Sequence, residues 1–384
     1  MDLFRRTGDE IRRRFLAAEL DDEAFPDIVV PVLEEARLHE AVTLESLVDG
    51  VLDAERLPPA AVAETFSDAG VCVYHDAHFS IEVLTWLDAS TMAHEHGFCG
   101  AFQVLAGGSL HTTYRFDAQR RVSEKLTFGR LERSRVERLR PGAIAPILPG
   151  NRFIHRLFHL ERPSLSLVVR TSVKGALPQY AYLEPGIAYD PFGRSQALAQ
   201  HVKLLRVLQR LNHPGFVERL CKRIESADLY SAFILAMEFG RGLQGHDDLG
   251  GLAPILHERF REQATTVESA LEQRRRFDRI TALRRRVSDP DQRFFLALLL
   301  NAADRSELLD LIAGDRPGQP PEELALGWLG AVAERGGLGE LDRTGLEQLA
   351  TWLRGETLPR GAERSRLDPD AHRSRPPGRT GAAL

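Results

Sequence analysis

Over roughly the first 65 positions, apolar residues return at helical intervals. Ile11, Phe15 and Leu16 line one side among arginines, and Asp27 through Val51 sets valines and leucines between acidic positions. Thr43-Leu44-Glu45-Ser46 and Pro58-Pro59 punctuate this stretch as a helix start and a turn. From about Cys72 the pattern shifts to short runs of β-branched and aromatic residues: VCVYHDAHFSIEVLTWLD, AFQVLAGGSLHTTYRF, SEKLTFGRLERSRVERL, AIAPIL, NRFIHRLFHL and SLSLVVRTSV. Gly107-Gly108, Pro141-Gly142 and Pro149-Gly150 divide them, and strands at roughly ten-residue intervals between such turns predict a β-barrel or sandwich. Beyond Pro185-Gly186 and Pro191-Phe192-Gly193 helical spacing resumes, with Leu204, Leu205, Leu208 and Leu211, then Phe233, Ile234 and Met237. Asp289-Pro290-Asp291-Gln292 reads as a helix start, with Asp as N-cap and Pro in the first turn. The chain is therefore expected to be α+β: an N-terminal helical segment (1–65), a β-barrel (66–190), an all-α domain (196–355) and a disordered tail (356–384) poor in apolar residues.

Composition narrows the function classes without choosing one. A length of 384 residues suits two or three domains, and 43% hydrophobic with 27% charged residues is ordinary for a globular protein. The net charge of −5 gives no global reason to expect nucleic acid or an anionic membrane as partner. Three widely spaced cysteines without a C-x-x-C pair argue against a disulfide framework and a zinc ribbon, and fit a reducing cytoplasm. The N-terminus interleaves charges and has no secretory apolar core, and FFLALLL, Phe294 to Leu300, is far short of the ~18 residues a membrane span needs.

The stretch from Trp86 to Gly108 carries the chemistry. His94 and His96 stand one residue apart at the end of a strand-like run. Residues i and i+2 of a strand share a face, so the two imidazoles can converge on one ion, and imidazole is the commonest side-chain metal ligand. Glu95 between them should point the other way. Further on, His155 and His159 in NRFIHRLFH are evenly separated and share a face if this is a strand. His155 is read as a third ligand and His159 as a pocket residue; the alternative is a pair of satisfied barrel histidines. Tyr114, Arg156, Tyr180 and Tyr182 are candidates to supply a proton or hydrogen bond, and Gln103 and His111 to face the pocket, each as readily structural. Cys99 is either a redox-sensitive thiol or a small buried apolar residue. Arg274-Arg275-Arg276, Arg279 and Arg284-Arg285-Arg286 form either a contact for a nucleic acid or an acidic partner or a solvated helix face paired with acids, the second being favoured. His246-Asp247-Asp248 is a cation-binding loop or a plain polar one. The sequence holds no Walker loop, dinucleotide-binding glycine motif, G-x-S-x-G or H-E-x-x-H.

Taken together, His94-Glu95-His96 with the apolar strand running to Gly108, and Pro149-Gly150 leading to His155-Arg156 and SLSLVVR, resemble the cupin superfamily, and within it the cysteine dioxygenase-like thiol dioxygenases. The resemblance covers about residues 70 to 185. It implies a double-stranded β-helix that binds iron(II) through three histidines, two from the first motif and one from the second. The departures refine what it implies. Cupins in general have a glycine six residues before the first histidine, where this chain has Asp88, and a ligating glutamate near the position of Gly100 or Ala101. Three neutral imidazoles then fit better than three histidines and a carboxylate. The cysteine that many thiol dioxygenases cross-link to a tyrosine aligns with Ala101 rather than Cys99, and the segment Tyr74-His75-Asp76-Ala77-His78 before Phe79 presents no arginine to hold a substrate carboxylate.

The expected function is a cytoplasmic, mononuclear non-haem iron(II) oxygenase that adds dioxygen to a small thiol or other anionic substrate. His94, His96 and His155 are the expected ligands, and His159, Tyr114 and Arg156 the expected groups around the chemistry. The alternatives are a non-catalytic ligand-binding barrel whose helical domain recruits a protein partner, and an isomerase using another metal.

Overall fold

The computed structural model describes residues 1–58, 67–172, 179–240, 252–334 and 343–356. Pro59, the His246-Asp247-Asp248 loop and residues 357–384 of the expected tail lie outside the described residues. The chain divides into two compact units, one of Met1–Tyr182, Ala188–Gly193 and Arg284–Ala297, the other of Leu183–Ile187, Arg194–Leu283 and Leu298–Leu384.

The first unit opens with α1 (Asp2–Ala17), α2 (Phe25–Ala36), α3 (Leu38–Ala41) and α4 (Leu44–Leu52). Thr43 and Ser46 start α4 as a reciprocal cap: the Ser46 amide donates to Thr43 Oγ1 at 3.1 Å and the Thr43 amide to Ser46 Oγ at 2.9 Å. Strands follow as β1 (Ala69–His75), β2 (Phe79–Trp86), β3 (Ala93–His96), β4 (Gly100–Ala106), β5 (Ser109–Ser123), β6 (Leu126–Leu139), β7 (Ile144–Ile147), β8 (Gly150–His159), β9 (Ser164–Thr171), β10 (Ala181–Leu183) and β11 (Ile187–Tyr189). One sheet runs β1-β2-β9-β4-β7, and the other contains β3-β8-β5-β6, with β10 pairing back onto β3. Eight strands split between two sheets as β2-β9-β4-β7 and β3-β8-β5-β6 make a jelly roll, the double-stranded β-helix expected from the sequence.

Strand parity decides what each sheet buries. In β2, Phe79, Ile81 and Val83 face outward into one cluster with Phe15, Phe25, Val29 and Leu33 of the helices, while Ser80, Glu82 and Trp86 face the barrel interior. Both faces of that sheet are thus covered, which is why β2 reads as a nearly continuous buried run rather than an alternating one. Each fully buried phenylalanine in this cluster contributes about 1.5–3 kcal/mol. Gly107 makes the turn from β4 to β5 at φ +72°, where a Cβ would also lie 2.7 Å from Ser164 Oγ.

The second unit is helical: α5 (Gln196–Arg210), α6 (Phe216–Ser226), α7 (Leu229–Phe239), α8 (Ala253–Phe260), most of α9 (Ala264–Arg284), the end of α10 (Pro290–Asn301), α11 (Arg305–Asp315), α12 (Pro321–Glu334) and α13 (Arg343–Leu353). α7 is buried on nearly all sides, as its lack of polar positions requires. α10 begins where its sequence indicated, with Asp289 Oδ1 accepting from the amides of Asp291 and Gln292, both at 3.0 Å. Of the arginine cluster, Arg274 pairs with Asp278 at 3.0 Å and Arg285 and Arg286 are exposed, as a solvated face paired with acids requires, while three others depart from both readings. Arg275 and Arg276 are buried and donate to the carbonyls of Gly240 and Leu299, and Arg284 is fully buried. Helix C-termini and loop carbonyls inside the protein, not solvent or a polyanion, take these guanidinium groups. Among the described residues no helix is long and apolar enough to cross a membrane.

Candidate metal centre

Antiparallel pairing of β3 with β8 sets His94 directly opposite His155, and the two-residue period brings His96 onto the same inward face. The nitrogens that His94, His96 and His155 offer all lie within 4.8 Å of one another, and His96 Nε2 stands 2.9 Å from His155 Nε2. Two nitrogens held about 2.0–2.2 Å from one ion at a right angle are about 3 Å apart, so the His96–His155 separation is that of two ligands on one ion. His96 and His155 are buried, and burial, followed by the neighbouring imidazoles, holds both well below the usual histidine range; Arg170 adds to the effect on His96. Both rings are therefore neutral near neutral pH and carry the lone pairs that ligation needs.

Hydrogen bonds at the far nitrogens orient two of the rings. His94 Nδ1 donates to the Met92 carbonyl at 2.8 Å, which turns Nε2 toward the centre. His155 Nδ1 lies 3.1 Å from His111 Nε2, and His111 Nδ1 lies 3.4 Å from Glu137 Oε1. Glu137, the anion nearest His111 Nδ1, favours the proton on that nitrogen, so that His111 Nε2 accepts from His155 Nδ1 and His155 Nε2 faces its partners. His111, and with it Glu137, set the tautomer of the third ring. Glu137 was missed in the sequence, because its place opposite His111 depends on the register of the β5–β6 hairpin.

No carboxylate joins the group among the described residues, and the structure explains why. A Cβ at Gly100 would sit 1.9 Å from the Val169 carbonyl oxygen, and Ala101 points outward into the cluster with the N-terminal helices. Neither position can aim a glutamate inward. Cys99 joins that outward cluster too, and burial pushes its thiol up to about 11.

Other candidates fall elsewhere. His159 shares the face of His155 but stands four residues further along β8, stacked on Trp86 at 4.3 Å and bonded through Nδ1 to Ser109 Oγ at 2.9 Å. At about 3.3 Å per residue it is far from the three rings. Tyr114 packs with Ala93 and Ile154 on the opposite face of the sheet, and Arg156 lies over the Tyr114 ring at 5.6 Å, so the structure brings none of these three expected groups to the histidines. Glu95 does turn away, accepting from Tyr182 Oη at 2.5 Å, and Tyr180 donates to the Glu124 carbonyl. Gln103 shares the outward parity of Ala101 and Leu105. Inside the barrel instead is an unanticipated pair, Arg170 of β9 and the buried Glu82 of β2, 3.1 Å apart. Arg170 stands over the Phe98 ring, 5.6 Å from its centre, and that ring is 4.7 Å from His96.

No family model and no curated protein matches the chain. Among solved structures, it is similar to a cupin superfamily protein of Desulfitobacterium hafniense, with 16% identity over 31% of this chain and 92% of that one and a TM-score of 0.20. It is similar to a hydroquinone 1,2-dioxygenase of a Sphingomonas species, with 18% identity over 30% and 70% of the two chains and a TM-score of 0.22. A DMSP lyase is similar over 35% of this chain and 67% of its own, at 16% identity and a TM-score of 0.24. Likeness at this level says nothing about chemistry.

Proposed function

We propose that this protein is a metal-dependent oxygenase of the thiol dioxygenase kind, with iron(II) held by His94, His96 and His155 and a small anionic thiol as substrate. The observation that carries the reading is the donor set: three neutral imidazoles in one pocket with no carboxylate among the described residues. Iron(II) bound there would keep its double positive charge, favouring a thiolate and dioxygen as companions and lowering the thiol pKa. The chain's own residues do the rest. Phe98 packs against His96, and Phe153 and Phe102 against His155 with ring centres 4.6 and 5.6 Å away, giving the two rings an apolar setting. His111 Nε2 holds the His155 Nδ1 proton away from the reacting side. Arg170 of β9, in place of an arginine in Tyr74–His78, is the cation beside His96, and an anionic group of the substrate would share it with Glu82.

Protein reconstituted with iron(II) should consume oxygen with at least one of a panel of small carboxylated and aminated thiols, and His155→Ala should consume none. Absence of thiol-dependent uptake across the panel, in protein shown to contain iron, would refute the activity. Glu137→Gln, which loses the charge that fixes His111, should weaken metal binding about 10-fold, and His111→Phe up to about 100-fold, by chelator competition. Unchanged affinity in both would show that the relay does not orient His155.

A further inference from the structure

Arg284 and Arg293 are the two largest charged side chains the first unit buries completely, each at 0% exposure. Such groups are costly: each leaves its Nε without an acceptor, and a buried charge is weak support for stability even when paired. Their bonds show what is obtained in exchange. Arg284 donates to the Ala89 carbonyl at 2.7 Å, to Ser90 Oγ at 2.6 Å and to the His159 carbonyl at 3.3 Å, with its guanidinium 4.8 Å from the centre of the Phe158 ring. Arg293 donates to the Leu87 carbonyl and the Asp88 carboxylate, both at 3.1 Å, and to the Leu160 carbonyl at 3.2 Å. Both arginines therefore bridge the same two places, the loop leading into β3 and the end of β8. Those are the strands that bear the three histidines.

The loop is held from its other side as well. Asp68 Oδ2 accepts from the amides of Leu87, Asp88 and Ala89, at 2.7, 3.2 and 3.4 Å. Next, Thr91 and Leu157 of β8 exchange bonds, with Thr91 Oγ1 accepting from the Leu157 amide at 3.0 Å and the Thr91 amide donating to the Leu157 carbonyl at 3.3 Å. The carbonyl after that, on Met92, is the one that orients His94. From Leu87 to His94 every residue but Ala93 takes part in a named polar contact, and the series ends on a ring of the candidate centre. A guanidinium presents its donors in a rigid planar fork, so it fixes the spacing of two carbonyl-bearing segments in a way an apolar residue of equal volume does not.

We infer that Arg284 and Arg293 are positioning residues that set the spacing of β3 against β8 and thereby the geometry of the three-histidine centre. The inference rests on the metal reading above. It gives the segment 284–297, which a minimal jelly roll does not need, a role in the site rather than in packing alone.

Cobalt(II) added to the full-length protein is the probe, because its visible spectrum reports the arrangement of its ligands. Relative to the unsubstituted protein, Arg284→Met and Arg293→Met should each bind cobalt about 10-fold more weakly and shift its visible bands, at a temperature where circular dichroism shows the variant folded. Ser90→Ala, which removes one acceptor of Arg284 and no charge, should shift the bands in the same direction by less, and decides the matter where an arginine variant does not fold. Variants that lose thermal stability yet keep the affinity and spectrum of the unsubstituted protein overturn the inference, because a structural role predicts that result. Failure of the unsubstituted protein to bind cobalt, or binding that His155→Ala leaves intact, overturns the metal reading and this inference with it.

Discussion

His155→Ala is expected to lower the affinity for a divalent metal by at least about 100-fold, beyond the range seen when residues behind a ligand are changed. His155 is the ring on which the rest converges: its Nε2 faces His96 Nε2, its Nδ1 faces His111, and its backbone sits opposite His94. Alanine leaves the strand pairing in place while removing one ligand and uncoupling His111 and Glu137 from the centre. His159→Ala, on the same strand and the same face, provides the contrast. It breaks the stack on Trp86 and the bond to Ser109, so it should lower thermal stability and leave metal affinity unchanged. Isothermal titration of both metal-free variants with zinc or cobalt separates the two effects. Equal loss in both variants, or none in His155→Ala, would rule out the assignment of the third ligand.

Glu82 and Arg170 are expected to show the largest effect on stability away from the histidines. Glu82 is 2% exposed, the Arg170 side chain 14%, and Ser80 Oγ donates a further bond to Glu82 Oε1 at 3.2 Å. Arg170→Met leaves a buried carboxylate without its partner and should cost about 3–5 kcal/mol, as should Glu82→Leu in the opposite sense. The double variant should recover most of that loss, since it removes both desolvated charges together and fills the space with apolar groups. Urea unfolding of the four proteins gives the cycle directly. If Arg170 also guides the anionic substrate, the double variant will be stable yet poorly saturated, with KM raised more than kcat falls. Simple additivity of the two single losses would show that the pair is not coupled.

How far the sequence could be read depended on whether a feature was local. The helix starts at Thr43 and Asp289, the turn at Gly107 and the inward convergence of His94 and His96 each depend on a few neighbouring residues, and all were legible. The grouping of His155 with them was legible from the family resemblance, strand parity relating His155 only to His159. Features that require register between distant strands were not. Glu137 reaches His111 through the β5–β6 hairpin, which contains three irregularities, and Arg170 meets Glu82 because β9 inserts beside β2. Parity gave the right face but not the level along the barrel for His159, and it sets Arg156, next to His155, and Tyr114, opposite Ile154, on the outward face. The buried arginines of α9 were unreadable for another reason: charge composition indicates a solvated surface, and only tertiary structure shows carbonyls waiting inside.

The placement of β9 has a consequence for how the protein comes into being. It is the last strand of the jelly roll in sequence, yet it lies in the middle of its sheet, paired with β2 on one side and β4 on the other. Until residues 164–171 have left the ribosome, β2 and β4 have no shared neighbour, and β3 likewise waits for β8 before His94 meets His155. Long-range pairings of this kind make for slow, late closure. A nascent chain therefore exposes an isolated His-x-His first and assembles the three histidines only after synthesis has passed the barrel, so on the proposed reading a metal would be loaded late in folding.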